Sequence, residues 1–342
     1  MGYFQLCNIF VEIFIYMKIL GMGNALTDVL ATLQSDTIIQ EAGLLKGGMK
    51  LIDIERLEKL KQLFSTIHTS RACGGSAANA ITGLTHLGID TGFIGKVGRD
   101  DLGRFYEQDL LDNGIESHLQ KGDASSGCAM TFISPDGERT FGTYLGAAAD
   151  LSATDLSAEM FSGYDLLHIE GYLVQDPALI RKAVQLAQSQ GLKISLDMAS
   201  YNVIKQQPEF SRELVTGYAD IVFANEEEAL AYTGQPPRQA VEEIARQCDI
   251  AVVKCGKEGS FIQQGDTCLH IGALPVQCID STGAGDLYAA GFLYGLATGC
   301  SLEQAGRIGT LLAGNVIEVI GPRMEQARWD KIKLKVRELL GA

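Results

Sequence analysis

The chain has 342 residues, 46% of them hydrophobic, and a formal net charge of −14 from 28 basic and 42 acidic side chains. That length accommodates one large α/β domain or two ordinary ones. No run of five basic residues occurs, so DNA, RNA and anionic membranes are set aside as partners, since they require clustered Lys and Arg. The eight cysteines lack CxxC spacing and the five histidines lack HxxxH, which argues against zinc-ribbon and thioredoxin chemistry. Reduced, buried thiols in a cytoplasmic protein are the expectation.

Residues 1–16 read as an N-terminal extension: Glu12 and Lys18 interrupt the Phe- and Ile-rich opening, which carries no cleavage signature. Residues 19–23 read as a strand ending in glycine. Gly21-x-Gly23 fails as a dinucleotide fingerprint because Leu26 stands where the third glycine belongs. Asp28 is then expected just past a strand end, where it either meets a ligand or holds a turn. Residues 29–52, with Gly43, Gly47 and Gly48, lack helical period and read as short strands.

Helices are predicted over 54–64, over 77–86 after Gly74-Gly75, and over 102–113, with a strand at 91–97. Pro135-Asp136-Gly137 between 127–134 and 139–145 is a hairpin signal. From 164 onward, strands at 166–170, 193–197, 220–224 and 250–254 alternate with helices at 177–190, 209–217, 226–232 and 239–247. That rhythm predicts a parallel sheet with helices on both faces. Residues 259–272 read as an antiparallel pair turning at Gln264-Gly265-Asp266, and 302–320 as a helix closed by Gly321-Pro322.

Three stretches carry chemistry. The first, 276–286, reads as a short apolar strand containing Cys278, a turn of small residues, and a helix start. Gly283, Ala284 and Gly285 leave backbone N–H groups bare at a helix N-terminus, which favours a phosphate. Asp286, in the first helical turn, is placed to take a proton from a hydroxyl attacking that phosphate. Taken alone, GAGD equally fits an ordinary turn with a capping aspartate. Asn225-Glu226-Glu227-Glu228 fits either carboxylates for Mg²⁺ or a capped, acidic helix start. Lys254-Cys255-Gly256-Lys257-Glu258-Gly259 offers a phosphate-binding lysine or a solvated loop. GxxxxGK[ST], HRD and DFG are all absent, which excludes Walker-type and protein-kinase sites.

Asp280-x-Thr282-Gly283-Ala284-Gly285-Asp286 resembles the C-terminal signature of the ribokinase-like (PfkB) family of carbohydrate and nucleoside kinases. Gly74-Gly75-Ser76-Ala77-Ala78-Asn79-Ala80, running on to Gly95-Lys96-Val97-Gly98-Arg99-Asp100-Asp101-Leu102-Gly103, resembles its N-terminal motif. The resemblance spans residues 17–323. It implies an α/β fold: a three-layer α/β/α sandwich with a mainly parallel central sheet and a small β-sheet lid. The implied core is 17–28, 53–114 and 146–330, with the lid at 29–52 and 115–145 and a C-terminal helix at 331–342.

The resemblance further implies ATP-dependent phosphoryl transfer with Asp286 as general base and Gly283, Ala284 and Gly285 as anion hole. Asp28, Gly74, Gly75, Asn79 and Arg139 would contact the substrate, with Thr143 and Tyr144 as further candidates. Asn225, Lys254, Gly256, Gly259, Thr282, Gly283, Gly285 and Asn315 would contact ATP. Glu228 would hold Mg²⁺ through water. Carbonyls of Asp280 and Thr282, with partners from 315–323, would suit a monovalent cation such as K⁺. GGSAAN, Thr143-Tyr144-Leu145-Gly146-Ala147 and Gly321-Pro322-Arg323 resemble the adenosine kinase-like branch, which implies a nucleoside 5′-hydroxyl as acceptor. A sugar or sugar phosphate is the alternative acceptor, and a non-catalytic nucleotide-binding regulator the alternative role. A monomer and a lid-mediated homodimer are both compatible with the resemblance.

Overall fold

The computed structural model describes residues 17–65 and 67–341, so the expected extension at 1–16 lies outside it. The described strands are β1 Ile19–Met22, β2 Leu26–Thr32, β3 Met49–Leu51, β4 Thr69–Gly74, β5 Thr91–Gly98, β6 Glu116–Gly122, β7 Gly127–Ile133, β8 Arg139–Tyr144, β9 Leu166–Glu170, β10 Lys193–Asp197, β11 Ile221–Asn225, β12 Ile250–Lys254, β13 Ser260–Gln264 and β14 Thr267–Ile271. The helices are α1 Thr37–Glu41, α2 Ile54–Phe64, α3 Ser76–His86, α4 Asp101–Asp112, α5 Pro177–Ser189, α6 Tyr201–Gln206, α7 Pro208–Gly217, α8 Glu226–Thr233, α9 Pro237–Ala245, α10 Ala284–Ala297, α11 Leu302–Val316 and α12 Gln326–Leu340.

Nine strands form one sheet in the order β14-β13-β12-β11-β10-β9-β1-β5-β6. All its pairings are parallel except those of β13, which is antiparallel to both neighbours. The central strands β1, β9 and β10 are buried along nearly their whole length because helices cover both faces. One hydrophobic cluster packs α3, α4, α10, α11 and α12 on one face, and a second packs α5 to α9 on the other. The three-layer expectation is met.

Helices α3 and α10 lie unusually close. A Cβ on Gly83 would come within 2.9 Å of both Ala290 Cβ and Leu287 Cδ1. The small residues of α3 therefore bring its N-terminal turn against that of α10. The two family-like motifs meet there.

A second sheet, ordered β3-β8-β7-β2-β4, forms the lid. One face packs on α2 through Val29, Ala31, Leu57, Leu60, Phe64, Cys128, Met130 and Phe132. Period-two alternation turns Asp28, Ala129 and Thr143 to the other face, where Asp28 sits opposite both Ala72 and Ala129.

The lid boundaries differ from the expected 29–52 and 115–145. β6 belongs to the main sheet, parallel to β5 over Gly92–Gly98, because α4 supplies the crossover that parallel neighbours need. β4, expected in the core, is the lid's edge strand and pairs antiparallel with β2. Asp28 is not past a strand end but inside β2. Within 29–52 the structure has a short helix, α1, as well as strand.

Residues 276–279, expected as a strand, join neither sheet. Ile279 and Asp280 instead donate their N–H groups to the Ile317 carbonyl at 2.7 and 3.2 Å, and Cys278 is exposed. The same contact marks the end of α11, at Val316 rather than 320. The terminal helix starts at 326, not 331. It is part of the core, since Trp329, Ile332 and Val336 are buried and Trp329 stacks on His86 with centroids 4.6 Å apart.

Candidate active site

Asp286 lies in the first turn of α10, where a helix N-terminus favours a carboxylate. Its Oδ1 accepts from Ser76 Oγ at 2.7 Å and its Oδ2 from Asn79 Nδ2 at 2.9 Å, both from α3. Burial pushes its pKa up from the ordinary 3.8 to about 6; the Asn79 and Ser76 hydrogen bonds pull it back, Asp197 adds to the rise and Lys254 opposes it. A carboxylate poised there is charged at neutral pH and basic enough to accept a hydroxyl proton.

A cavity of about 570 Å³ opens in front of it, lined among others by Ser76, Tyr172, Asn225, Lys254, Gly256 and Gly285. Its walls carry five carboxylates (Asp197, Glu226, Glu227, Glu228, Asp286) against one ammonium, Lys254. Lys254 Nζ bonds Asp197 Oδ2 at 2.8 Å and lies 3.1 Å from where a Cβ on Gly285 would stand. Burial works against its charge, but Asp197 and Glu228 outweigh that and hold its pKa up. Gly285 thus leaves room for a cationic group beside the helix start.

Gly283 has a different reason to be glycine. Its φ is 78°, and a Cβ there would come within 2.7 Å of Pro322 Cβ. Gly259 is likewise explained by packing, since its φ is 90° and a Cβ would collide with the Ile271 carbonyl. It does not line the cavity, whereas Gly256 does, with open space at its Cα.

Asn225 and Glu228 form a reciprocal cap on α8. Asn225 Oδ1 accepts from Glu228 N at 2.9 Å, while Glu228 accepts from Asn225 N at 2.8 Å and Nδ2 at 2.7 Å. The capped-helix alternative is therefore realised, and Glu228 lines the cavity as well. Burial first, and Asp197 next, raise its pKa.

Asn315 is not brought to the cavity. Its Nδ2 donates back to Leu311 O at 2.8 Å and its carbonyl accepts from Arg328 at 3.0 Å. Asp280 and Thr282 close a turn on each other, Thr282 N and Oγ1 reaching Asp280 Oδ1 at 2.9 and 2.6 Å.

On the lid side, Asp28 sits over Gly74, whose bare Cα admits it: a Cβ there would be 2.8 Å from Asp28 Oδ2. Gly75, at φ 100°, lets the Asn24 carbonyl approach where a Cβ would block it. No protein hydrogen bond reaches the Asp28 carboxylate among the described residues. Burial raises its pKa to about 6, with Arg139 and Arg323 pulling it down. Arg139 Nη1 reaches across to Asp280 Oδ2 at 2.6 Å, while its buried Nε and Nη2 have no partner. Asn79 Oδ1 is buried and unpaired too. Asp28, Arg139 and Asn79 thus keep hydrogen-bonding capacity for a polar ligand. Thr143 shares Asp28's face, and Tyr144, one residue on, points to the α2 side.

Two carboxylates went unnoticed in the sequence. Glu170, only 1% exposed, accepts from Asn24 N (3.1 Å), Asn24 Nδ2 (2.6 Å) and Ala77 N (3.1 Å), and burial raises its pKa to about 7. It ties β1 and the start of α3 to β9. Asp197 caps its own turn through Ala199 N at 3.0 Å, where Ala199, at φ 57°, is the one described non-glycine with positive φ. Each ends a buried parallel strand, as Asn225 does, and that shared position was the available signal.

A doubly covered parallel sheet, a lid, and a helix-start carboxylate facing an acidic cavity define a phosphotransferase with an alcohol group as acceptor. The pfkB family carbohydrate kinase profile matches residues 43–327, and the chain belongs to that family. It is 30% identical over 287 residues to the 5-dehydro-2-deoxygluconokinase of Bacillus licheniformis, covering 79% of this chain and 88% of that one. Among solved structures it is similar to adenosine kinase from Sinorhizobium meliloti, with a TM-score of 0.82, 34% identity, and 94% and 99% of the two chains covered. A probable sugar kinase from Rhizobium etli is similar to the same degree, with a TM-score of 0.82 and 32% identity over 94% and 98% of the chains. No helix among the described residues is long and apolar enough to cross a membrane.

Proposed function

We propose that the chain transfers the γ-phosphate of ATP to the 5′-hydroxyl of an adenosine-like nucleoside, with Asp286 as general base. Asp28 and Asn79 Oδ1 accept hydroxyls of the ribose, held over Gly74 and Gly75. Asp286 takes the proton of the attacking hydroxyl, and the N–H groups of Gly283 and Gly285 receive the phosphate charge; the Ala284 N–H, expected to join them, instead donates to Ser281 O at 3.2 Å. Lys254 and Asn225 meet the phosphate end of ATP, Gly256 and Thr282 border it, and Gly259 shapes the strand behind it.

Among the described residues no three acidic, His or Cys side chains converge to hold a metal directly, so the carboxylate-rich wall suits Mg²⁺ carried in on the nucleotide and met through water. A nucleotide entering among five carboxylates and one ammonium needs a counter-cation, and Glu228 keeps lone pairs for its coordinated waters. Mg²⁺ when bound offsets charge on the phosphates.

One observation carries the nucleoside reading. Beside Asp28 on the lid's inner face, register sets Leu30, Thr131 and Phe141 side by side, with Phe141 also 5.2 Å beneath the Arg139 guanidinium. Thr131 is fully buried and forms the floor of this row, so the half-buried Leu30 and Phe141 are the apolar surface it offers to a flat base, which a free sugar would cover less fully. The likeness to the Sinorhizobium meliloti adenosine kinase supports the same reading.

A second reading has its own support. The unpaired Nε and Nη2 of Arg139 suit a keto or carboxylate oxygen, as on a sugar acid, and kinship to 5-dehydro-2-deoxygluconokinase agrees with this. A panel of nucleosides, sugars and keto-sugar acids, scored for acceptor-dependent ADP release, separates the two. Adenosine is expected to give the highest kcat/KM. Turnover confined to sugars or sugar acids contradicts the nucleoside reading.

A further inference from the structure

The family resemblance implies a monovalent cation on the carbonyls of Asp280 and Thr282, but the anion that would balance its charge, the Asp280 carboxylate, is already taken. That carboxylate accepts four hydrogen bonds: Oδ1 from Thr282 N (2.9 Å) and Thr282 Oγ1 (2.6 Å), Oδ2 from Gly321 N (2.7 Å) and Arg139 Nη1 (2.6 Å). A carboxylate offers about four lone-pair positions, so this one has none to add to the carbonyls of Asp280 and Thr282, which would have to hold an ion without its help. The charge is also taken. Arg139 is only 7% exposed and forms an ion pair with Asp280. A cation entering there would face a desolvated guanidinium across the single carboxylate that neutralises it.

The donors come from three separate places. Arg139 opens β8 in the lid, Thr282 belongs to the turn that leads into α10, and Gly321 follows α11. Asp280 therefore joins lid, phosphate-binding turn and C-terminal loop through one anion. Arg139 also contacts Thr282 Oγ1 at 3.3 Å, so the guanidinium braces both residues expected to hold the cation.

We propose that Arg139 takes the place of the monovalent cation in this enzyme. The lid supplies the positive charge that orders the Asp280–Thr282 turn, turnover needs no K⁺, and the turn reaches its ordered form when the lid is closed. Arg139 acts here as a positioning residue through Asp280, while its remaining N–H groups stay available to the acceptor.

The test compares KCl with N-methyl-D-glucamine chloride at fixed ionic strength, which removes differences in screening. Wild-type kcat should differ by less than about twofold between the salts, and its melting temperature should not depend on the cation. Arg139→Gln frees Asp280 Oδ2 and removes the competing charge. Its kcat should fall, then recover about tenfold in K⁺ but not in N-methyl-D-glucamine, with a K⁺-specific rise in melting temperature. Marked K⁺ activation of the wild-type enzyme overturns the proposal, and so does an Arg139→Gln variant indifferent to K⁺ in both readouts. The melting measurement needs no acceptor, so it stands whichever substrate the enzyme uses.

Discussion

Asp286, Asp28 and Glu170 share one physical condition: each is a carboxylate whose pKa burial has raised, to about 6, 6 and 7. If Asp286 is the base proposed, its proton must be lost before transfer, so kcat/KM should fall as pH drops below about 6 and level off above it, as a pH–rate profile will show. Ser76 and Asn79 hold the Asp286 pKa down, so Ser76→Ala should move the acid limb to higher pH. An unmoved limb would mean that Asp286 is not the group titrating. Stability runs the other way. A carboxylate with a raised folded-state pKa favours the fold below its unfolded value and loses that contribution as pH rises through the folded value. Asp286→Asn should therefore melt no lower than wild type at pH 8, measured calorimetrically. Gly283→Ala should lose about 1–3 kcal/mol, because it forces a side chain into left-handed backbone against Pro322. Denaturant titration checks this, and an unchanged midpoint would contradict the strain.

At the scale of elements, the close packing of α3 on α10 matters most, because it unites Ser76 and Asn79 with a carboxylate 210 and 207 residues away. α12 backs that contact through Trp329, whose ring lies 3.9 Å from a Cβ built on Gly83. Trp329→Ala should cost about 3–5 kcal/mol, and if less, α12 is an appendage and not core. The lid is joined to the body by short connections around 23–25, 75, 123–126 and 145, and Arg139 bridges the gap to Asp280. Acceptor should protect β2, β4, β7 and β8 amides from hydrogen exchange more than ATP alone does. Equal exchange with and without acceptor would mean a rigid lid.

Much of this level was readable beforehand. Strands β9 to β12 are apolar runs punctuated by amphipathic helices, the pattern a doubly covered sheet imposes. β4 and β6 were misplaced because TSRACG and ESHLQKG are polar edge strands, whose sheet is decided by what they pair with and not by their own pattern. Asp286 was placed from the sequence at a helix start because motif and turn chemistry coincide there; Asn79 came from its motif alone, and Asp28 proved to lie inside β2 and not past a strand end. Glu170 and Asp197 were not legible, because a single acidic residue ending a strand does not announce itself until the sheet sets it beside others. Gly259 and Asn315 show the converse: residues that match a motif while their contacts serve packing.

For the whole molecule, the charge of −14 and the acidic cavity argue in the same direction. ATP approaches a negative surface, so its affinity should depend steeply on Mg²⁺, and Glu228→Ala should require more Mg²⁺ for half-maximal rate. An unchanged Mg²⁺ titration would remove Glu228 from that role. On the proposed reading, the small sheet supplies the acceptor contacts and the ends of the main-sheet strands the phosphate contacts. Water must be excluded when they meet, which is the reason for a lid latched by Arg139.

All of this rests on Asp286 acting as the base. The most direct measurement is single-turnover transfer from γ-labelled ATP to saturating acceptor at pH 8, comparing wild type with Asp286→Asn, with the ATP dissociation constant measured alongside. The account predicts a loss of about 10²–10⁴-fold in the transfer rate with ATP affinity essentially unchanged. Transfer at a rate close to wild type in the Asn variant would contradict it.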